Sequence, residues 1–339
     1  MARPLLTALL LLSTLACSRA PAPTDCPPAA TDGQASNGQA SPALAEPVDE
    51  APTATPLGPA EALTVTADDG HAIRVWALTP SAPAGERPAL VLVHGRTWSG
   101  VPDFDLRVGD DPSLSLMHRL ASLGIASYAV DLRGYGGTER DASGWLTPDR
   151  AAADLVAALA FVREREGAAP ALLGWSYGAL VSQLAVQTTP AAASALILYG
   201  YPRDPDERTG ESQAKGDPPK TANSEAAARS DFITPGTISE AGVAAYVKAS
   251  LAADPVRVDW TATHQFNALD PAKVTIPTLV VHGVGDPIAR GLWQAKLFTR
   301  LGVDDRQWVI LPNADHAAHL EQPDDFVRAL LSFLDRGPA

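Results

Sequence analysis

Short, wholly apolar runs alternate with longer segments of helical character between residues 61 and 336, and this rhythm constrains the fold more than any other feature. Residues 61–66 and 72–78 alternate apolar and polar side chains around Asp68-Asp69-Gly70, a turn signal between two strands. The runs at 89–93, 125–130, 171–174, 195–199, 278–281 and 307–311 read as further strands, the most apolar of them buried on both faces. Residues 114–123, 151–166, 177–187, 292–301 and 324–334 read as the helices between and after them. A succession of strand–helix units builds a mostly parallel sheet covered by helices on both faces. In such sheets the chemistry gathers at the carboxyl ends of the strands. The residues just after each strand are therefore the ones to inspect.

The rhythm breaks between residues 202 and 272. That interval opens on a charged, Pro-rich stretch and continues with helical segments near 224–230 and 239–252, without a strong buried-strand signal. Its length fits a cap or lid inserted between a first core part, 61–201, and a second, 273–339. A long surface excursion without a role fits the same residues. Of the 339 residues, 46% are hydrophobic and 19% charged, enough apolar surface for a sizeable core. The 39 acidic residues outnumber the 26 basic ones, and a net charge of −13 is repelled by phosphate backbones, which argues against a nucleic-acid partner. Both cysteines, Cys17 and Cys26, precede the core, so it has no disulfide, no thiolate metal site and no cysteine nucleophile.

After the strand at 171–174 comes Gly174-Trp175-Ser176-Tyr177-Gly178, a G-x-S-x-G pentapeptide between a predicted strand and a predicted helix. The chain must reverse there within about two residues, which exposes Ser176 as a nucleophile and demands glycine on either side. An earlier strand runs into His94-Gly95-Arg96-Thr97-Trp98. The backbone amides of Arg96 and Tyr177 are the candidate donors to a developing oxyanion, where each such donor is worth roughly 2.7–4 kcal/mol of barrier. His94 reads as a support for that turn. Past the strand at 278–281, Asp286 follows in His282-Gly283-Val284-Gly285-Asp286-Pro287, and past the next strand His316 follows in Pro312-Asn313-Ala314-Asp315-His316. A serine, an acid and a histidine in that order, at three strand ends, compose a Ser-His-Asp triad.

On these motifs residues 61–336 resemble the α/β-hydrolase superfamily. Asp131-Leu132-Arg133-Gly134-Tyr135-Gly136-Gly137 is similar to its D-x-R-G-x-G turn, and His316 to Pro323 to its H-x-x-x-x-E-x-P tail. Asp315 departs from the family's usual glycine before the histidine. The resemblance implies an α/β-hydrolase fold with an inserted helical cap. It also implies a serine hydrolase without cofactor or metal, acting on a small ester-like substrate through an acyl-enzyme. Ser176 would attack, His316 shuttle the proton and Asp286 orient the imidazole. His319 is a rival base whose expected place is packing or pocket lining. A serine nucleophile sets aside the branches that attack with aspartate. Perhydrolysis of the haloperoxidase kind and C–C cleavage use the same triad, and a silent scaffold that binds a ligand or partner stays open too. Trp98, Tyr199 and Tyr201 are candidate pocket residues, with Trp145 and Trp260 as further aromatics near the cap. The sequence has no paired His or Cys spacing for a metal and no G-x-G-x-x-G for a nucleotide.

The first sixty residues read as export and tether. Arg3 precedes an almost wholly apolar run at 5–15, which has the length of a signal-peptide core and is too short to span a bilayer. Thr14-Leu15-Ala16-Cys17 resembles a bacterial lipobox, with Cys17 as the acylated residue and Thr14 where the family usually has leucine. Cleavage after Ala20 is the alternative. Residues 18–60, rich in Pro, Ala, Thr, Gly and Gln, lack the apolar surface to offset ordering entropy and read as a disordered stalk. No chemical role emerges for Cys26. The implied location is the bacterial cell envelope, lipid-anchored or otherwise periplasmic or secreted.

Overall fold

A computed structural model describes residues 58–81 and 87–336. The signal-like segment, Cys17, Cys26 and most of the tether lie outside these described residues. Among the described residues ten strands form: β1 (Glu61–Thr66), β2 (Ala72–Leu78), β3 (Leu90–Val93), β4 (Ser127–Val130), β5 (Trp145–Leu146), β6 (Ala171–Trp175), β7 (Ala195–Tyr199), β8 (Asp259–Trp260), β9 (Thr278–Gly283) and β10 (Arg306–Leu311). Eight of them make one sheet in the order β1-β2-β4-β3-β6-β7-β9-β10. β2 runs antiparallel to both neighbours and every other pairing is parallel. β5 and β8 pair separately in a two-residue parallel ladder.

The helices are α1 (Gly100–Phe104), α2 (Leu116–Ser122), α3 (Pro148–Glu166), α4 (Tyr177–Thr188), α5 (Glu225–Arg229), α6 (Glu240–Ala253), α7 (Gly291–Arg300), α8 (Ala318–Glu321) and α9 (Pro323–Leu334). One apolar cluster joins α3, α4 and α7 to one face of the sheet, and a second joins α2 and α9 to the other. β3, β4, β6, β7 and β9 are buried along their whole length, as their continuous apolar runs require. β10 departs from that picture: it is one of the sheet's two edge strands and is only partly buried, with Ile310 47% exposed.

Caps set the helix boundaries. The Thr147 hydroxyl accepts from the Arg150 amide, Pro148 occupies the first turn and Gly167 closes α3 in the left-handed region. The helix therefore begins three residues before the periodicity at 151–166 indicates. α1 and α8, of five and four residues, are too short to leave a periodic trace. Within 202–272, α5 and α6 fall where helical character was expected, each capped by a serine, Ser224 and Ser239. β8 is the departure there, a two-residue strand in a segment without a strand signal. Tyr246 and Val243 of α6 pack with Trp98, Leu106 and Leu320, which lays this segment against the carboxyl ends of the sheet strands.

Candidate active site

Ser176 sits between β6 and α4 with φ 55° and ψ −121°, a backbone conformation that costs a non-glycine residue on the order of 1–3 kcal/mol. The flanking glycines permit it. A Cβ on Gly174 would lie 2.3 Å from the Gly178 carbonyl oxygen, and one on Gly178 would lie 2.3 Å from that of Val93. Strand, turn and helix close to a distance that side chains forbid. The Ser176 amide donates to the Tyr199 carbonyl at 2.9 Å and anchors the turn to β7.

A similar close approach joins the acid to the histidine. A Cβ on Gly283 would lie 2.4 Å from the carbonyl oxygens of both Ala314 and Asp315, so the end of β9 presses directly on the loop after β10. Across that contact His316 Nδ1 donates to Asp286 Oδ2 at 2.8 Å. Oδ1 of Asp286 accepts from the amides of Ile288 and Ala289 at 2.8 and 2.9 Å. Burial opposes the aspartate's charge, yet the His316 hydrogen bond, the imidazole's charge and the two amides prevail and hold its carboxyl below the usual range. With Nδ1 engaged, Nε2 is the nitrogen left to exchange protons.

Ser176 and His316 line one cavity of about 220 Å³, together with Arg96, Trp98, Tyr177 and Ile288 among others. Among the described residues, neither the Arg96 nor the Tyr177 amide donates to a protein acceptor. Both are therefore available to an oxygen atom placed in the cavity. The carbonyl of Arg96 accepts from the Tyr135 hydroxyl, which itself accepts from Trp260 Nε1 at 2.8 Å, so the backbone bearing one of these amides is braced from behind. The Arg96 guanidinium is exposed and lies 5.1 Å from the centre of the Tyr177 ring. His94 Nε2 accepts from the Leu132 amide at 3.1 Å, leaving Nδ1–H to donate to the Gly95 carbonyl at 2.8 Å. Burial lowers its pKa to about 4 and keeps the imidazole neutral in that role.

His319 is buried away from Ser176. Its Nε2–H donates to the Asp103 carbonyl at 2.8 Å, and its Nδ1 faces the Tyr199 hydroxyl at 3.0 Å. Burial, with the nearby charge of His316 adding to it, lowers its pKa to about 3. Trp98 reaches the cavity, but Tyr199 and Tyr201 do not, and their expected place as pocket residues is corrected. Tyr199, the last residue of β7, packs beneath His319 and Phe326, and the left-handed turn at Gly200, φ 57°, ends the strand's alternation before Tyr201. Tyr201 enters the opposite cluster, and its carbonyl accepts from Gln294 at 2.7 Å. Trp145 is half-buried at the β5–β8 ladder, while Trp260 packs edge-on behind Tyr177.

Three polar residues of this region left no trace in the sequence. Asp103 from α1 and Asp231 from the segment after α5 both line the cavity, and the Tyr246 hydroxyl lies 3.0 Å from a carboxyl oxygen of each. Asp231 also accepts from Trp98 Nε1 at 2.8 Å. Burial pushes the Asp103 carboxyl well above its usual value, with the charge of Asp231 adding to the effect. Burial raises the Asp231 carboxyl to about 6, the Tyr246 hydrogen bond and the charge of His316 working against the rise.

Residues 90–329 match the model of the alpha/beta hydrolase family, and the chain belongs to that family. It is a hydrolase, with the family's mostly parallel central sheet. Over 64 residues it is 45% identical to a 2-hydroxy-6-oxo-6-(2'-aminophenyl)hexa-2,4-dienoic acid hydrolase of Metapseudomonas resinovorans. That match takes in 19% of this chain and 21% of the curated relative's length. A thermophilic esterase from Thermogutta terrifontis superposes with a TM-score of 0.55 at 19% identity, covering 82% of this chain and 99% of that one. A meta-cleavage product hydrolase from Pseudomonas fluorescens does so with a TM-score of 0.58 at 15% identity, over 83% and 99%. At such identities the likeness is one of fold.

Proposed function

We propose that this hydrolase cleaves a small carboxylic ester through an acyl-enzyme on Ser176. The observation that carries the reading is the His316–Asp286 hydrogen bond of 2.8 Å beside a cavity that His316 shares with the strained Ser176. His316 Nε2 takes the Ser176 hydroxyl proton as Oγ bonds to the acyl carbon. Asp286, ionised at neutral pH, fixes the imidazole's tautomer and stabilises the imidazolium. The oxyanion accepts from the Arg96 and Tyr177 amides, aided by the positive end of α4. When the bond to the alcohol oxygen breaks, that oxygen leaves with the proton from His316. Water then gives its proton to His316 and adds to the acyl carbon, and Ser176 Oγ departs with that proton.

Cleavage of a C–C bond is the second reading, favoured by the short, 45% identical match to a dienoic acid hydrolase. Treatment with a fluorophosphonate, followed by peptide mapping of wild type and Ser176→Ala, tests the nucleophile that both readings share. One adduct on Ser176, absent from the variant, is expected. Turnover of p-nitrophenyl butyrate then separates the two readings. No adduct on folded protein overturns both and favours a silent scaffold.

A further inference from the structure

The lining of the cavity contains two carboxyl groups that the ester mechanism does not use, Asp103 and Asp231. Their proton arithmetic is restrictive. The Tyr246 hydroxyl stands 3.0 Å from Oδ1 of Asp103 and 3.0 Å from Oδ2 of Asp231, yet carries one proton. One of the two contacts is therefore attractive only if a carboxyl supplies the proton and the phenolic oxygen accepts it. Asp103 is the carboxyl that holds it: the residue is 1% exposed and, among the described residues, has no basic partner. The Tyr246 proton then points to Asp231 Oδ2, which also accepts from Trp98 Nε1. One negative charge thus remains on the trio, at Asp231. Its Oδ1 has no protein hydrogen-bond partner among the described residues.

Asp231 stands close enough to His316 for the imidazole's charge to favour the ionised carboxylate. The leaving alcohol must collect its proton from His316, which lines the same cavity as Asp231. The remaining walls there, including Trp98, Trp175, Pro202 and Ile288, are largely apolar, and the Arg96 guanidinium is engaged over the Tyr177 ring. An apolar wall with one anionic oxygen suits an apolar group ending in an ammonium and repels one ending in a carboxylate.

We infer that Asp231, oriented by Tyr246 and Trp98, is a specificity-determining residue that selects esters whose alcohol portion bears a protonated amine. The inference rests on the ester-hydrolase reading and assigns that reading a substrate class. It also sets this cavity against acid-bearing substrates of the kind named for the dienoic acid hydrolase.

Three butyrate esters of matched shape test it: 2-(dimethylamino)ethyl, 3-methylbutyl and 2-carboxyethyl butyrate, which end in a cation, a neutral isopropyl group and an anion. In wild type the cationic ester is expected to exceed its neutral twin in kcat/KM by about tenfold or more, with the anionic ester slowest. Asp231→Asn should bring the cationic-to-neutral ratio to near one, and Asp231→Glu should restore part of it. Affinities of the intact esters for Ser176→Ala, measured by calorimetry, give a readout independent of turnover. Equal kcat/KM for the cationic and neutral esters, or an unchanged ratio in folded Asp231→Asn, overturns the inference while leaving the ester reading intact. If wild type turns over none of the three and Ser176→Ala still prefers the cation, the ester reading fails and the subsite stands. Equal binding with no turnover overturns both.

Discussion

His316 and His319 are three residues apart and pack against the same indole, with ring centroids 5.5 and 4.8 Å from that of Trp175. Their surroundings differ completely. His316 gives one nitrogen to an ionised carboxylate and lines the cavity that holds Ser176. His319 has one nitrogen against a carbonyl and the other against a tyrosine hydroxyl, and it is not among that cavity's lining residues. Burial without an anionic partner keeps the His319 ring neutral, whereas the His316 ring is hydrogen-bonded to the Asp286 carboxylate. Residue type is the same and the positions differ by only three. The free nitrogen and the carboxylate separate the proposed base from a packing residue.

Substitutions on the two sides can break that contrast. Asp286→Asn should keep the fold and lower kcat by about four orders of magnitude, because an amide does not hold the productive tautomer. A loss below tenfold would mean that His316 draws little from its partner. His319→Ala removes a buried ring and strands the Asp103 carbonyl, so stability should fall by about 3–5 kcal/mol in denaturant unfolding. The molecules that remain folded should retain the pH–rate profile of wild type. Loss of the profile's acid limb with unchanged stability would make His319 the working base.

The smallest expected effect sharpens the comparison on the His316 side. Glu321 accepts from the Asp315 amide at 2.7 Å and from the Thr237 hydroxyl at 2.8 Å, which ties the His316 loop to the segment before α6. Burial raises its pKa to about 7, with the neighbouring Asp315 carboxyl contributing to the rise. The folded state then holds this proton more tightly than the unfolded state does. The group's stabilising contribution is complete below about 4.5 and is lost as pH rises through about 7. Glu321→Gln abolishes that dependence, so its Tm relative to wild type should climb between pH 5 and pH 8. A constant difference across that range would show that Glu321 ionises normally in the folded protein.

Much of the site was legible because it is local. The glycines around Ser176 mark a tight turn wherever they follow a strand, and at each a Cβ would meet a carbonyl oxygen at 2.3 Å. Asp286 and His316 were legible as the first acid and the first histidine after two consecutive strands. Tyr199 and Tyr201 were misread because one ends β7 and the other lies just past it, and proximity to a strand end says nothing of which sheet face a side chain takes. β8 was missed because two residues carry no periodicity. Asp103, Asp231 and Tyr246 were missed because nothing in the sequence links a residue of α1 to the segment around α6.

By itself, then, the sequence determined the parallel sheet, the elbow at Ser176 and the order of the three groups behind the proposed chemistry. Each follows from short-range rules: burial of apolar runs, glycine at forced turns, polar residues at strand ends. Only the tertiary structure decided which histidine is open to the cavity and what stands over Ser176. The hydrogen bonds that settle the second matter join residues 143 and 133 positions apart, Tyr246 to Asp103 and Trp98 to Asp231. Contacts at such separation depend on how the inserted segment packs against the sheet's end, and hydrophobic periodicity does not encode that.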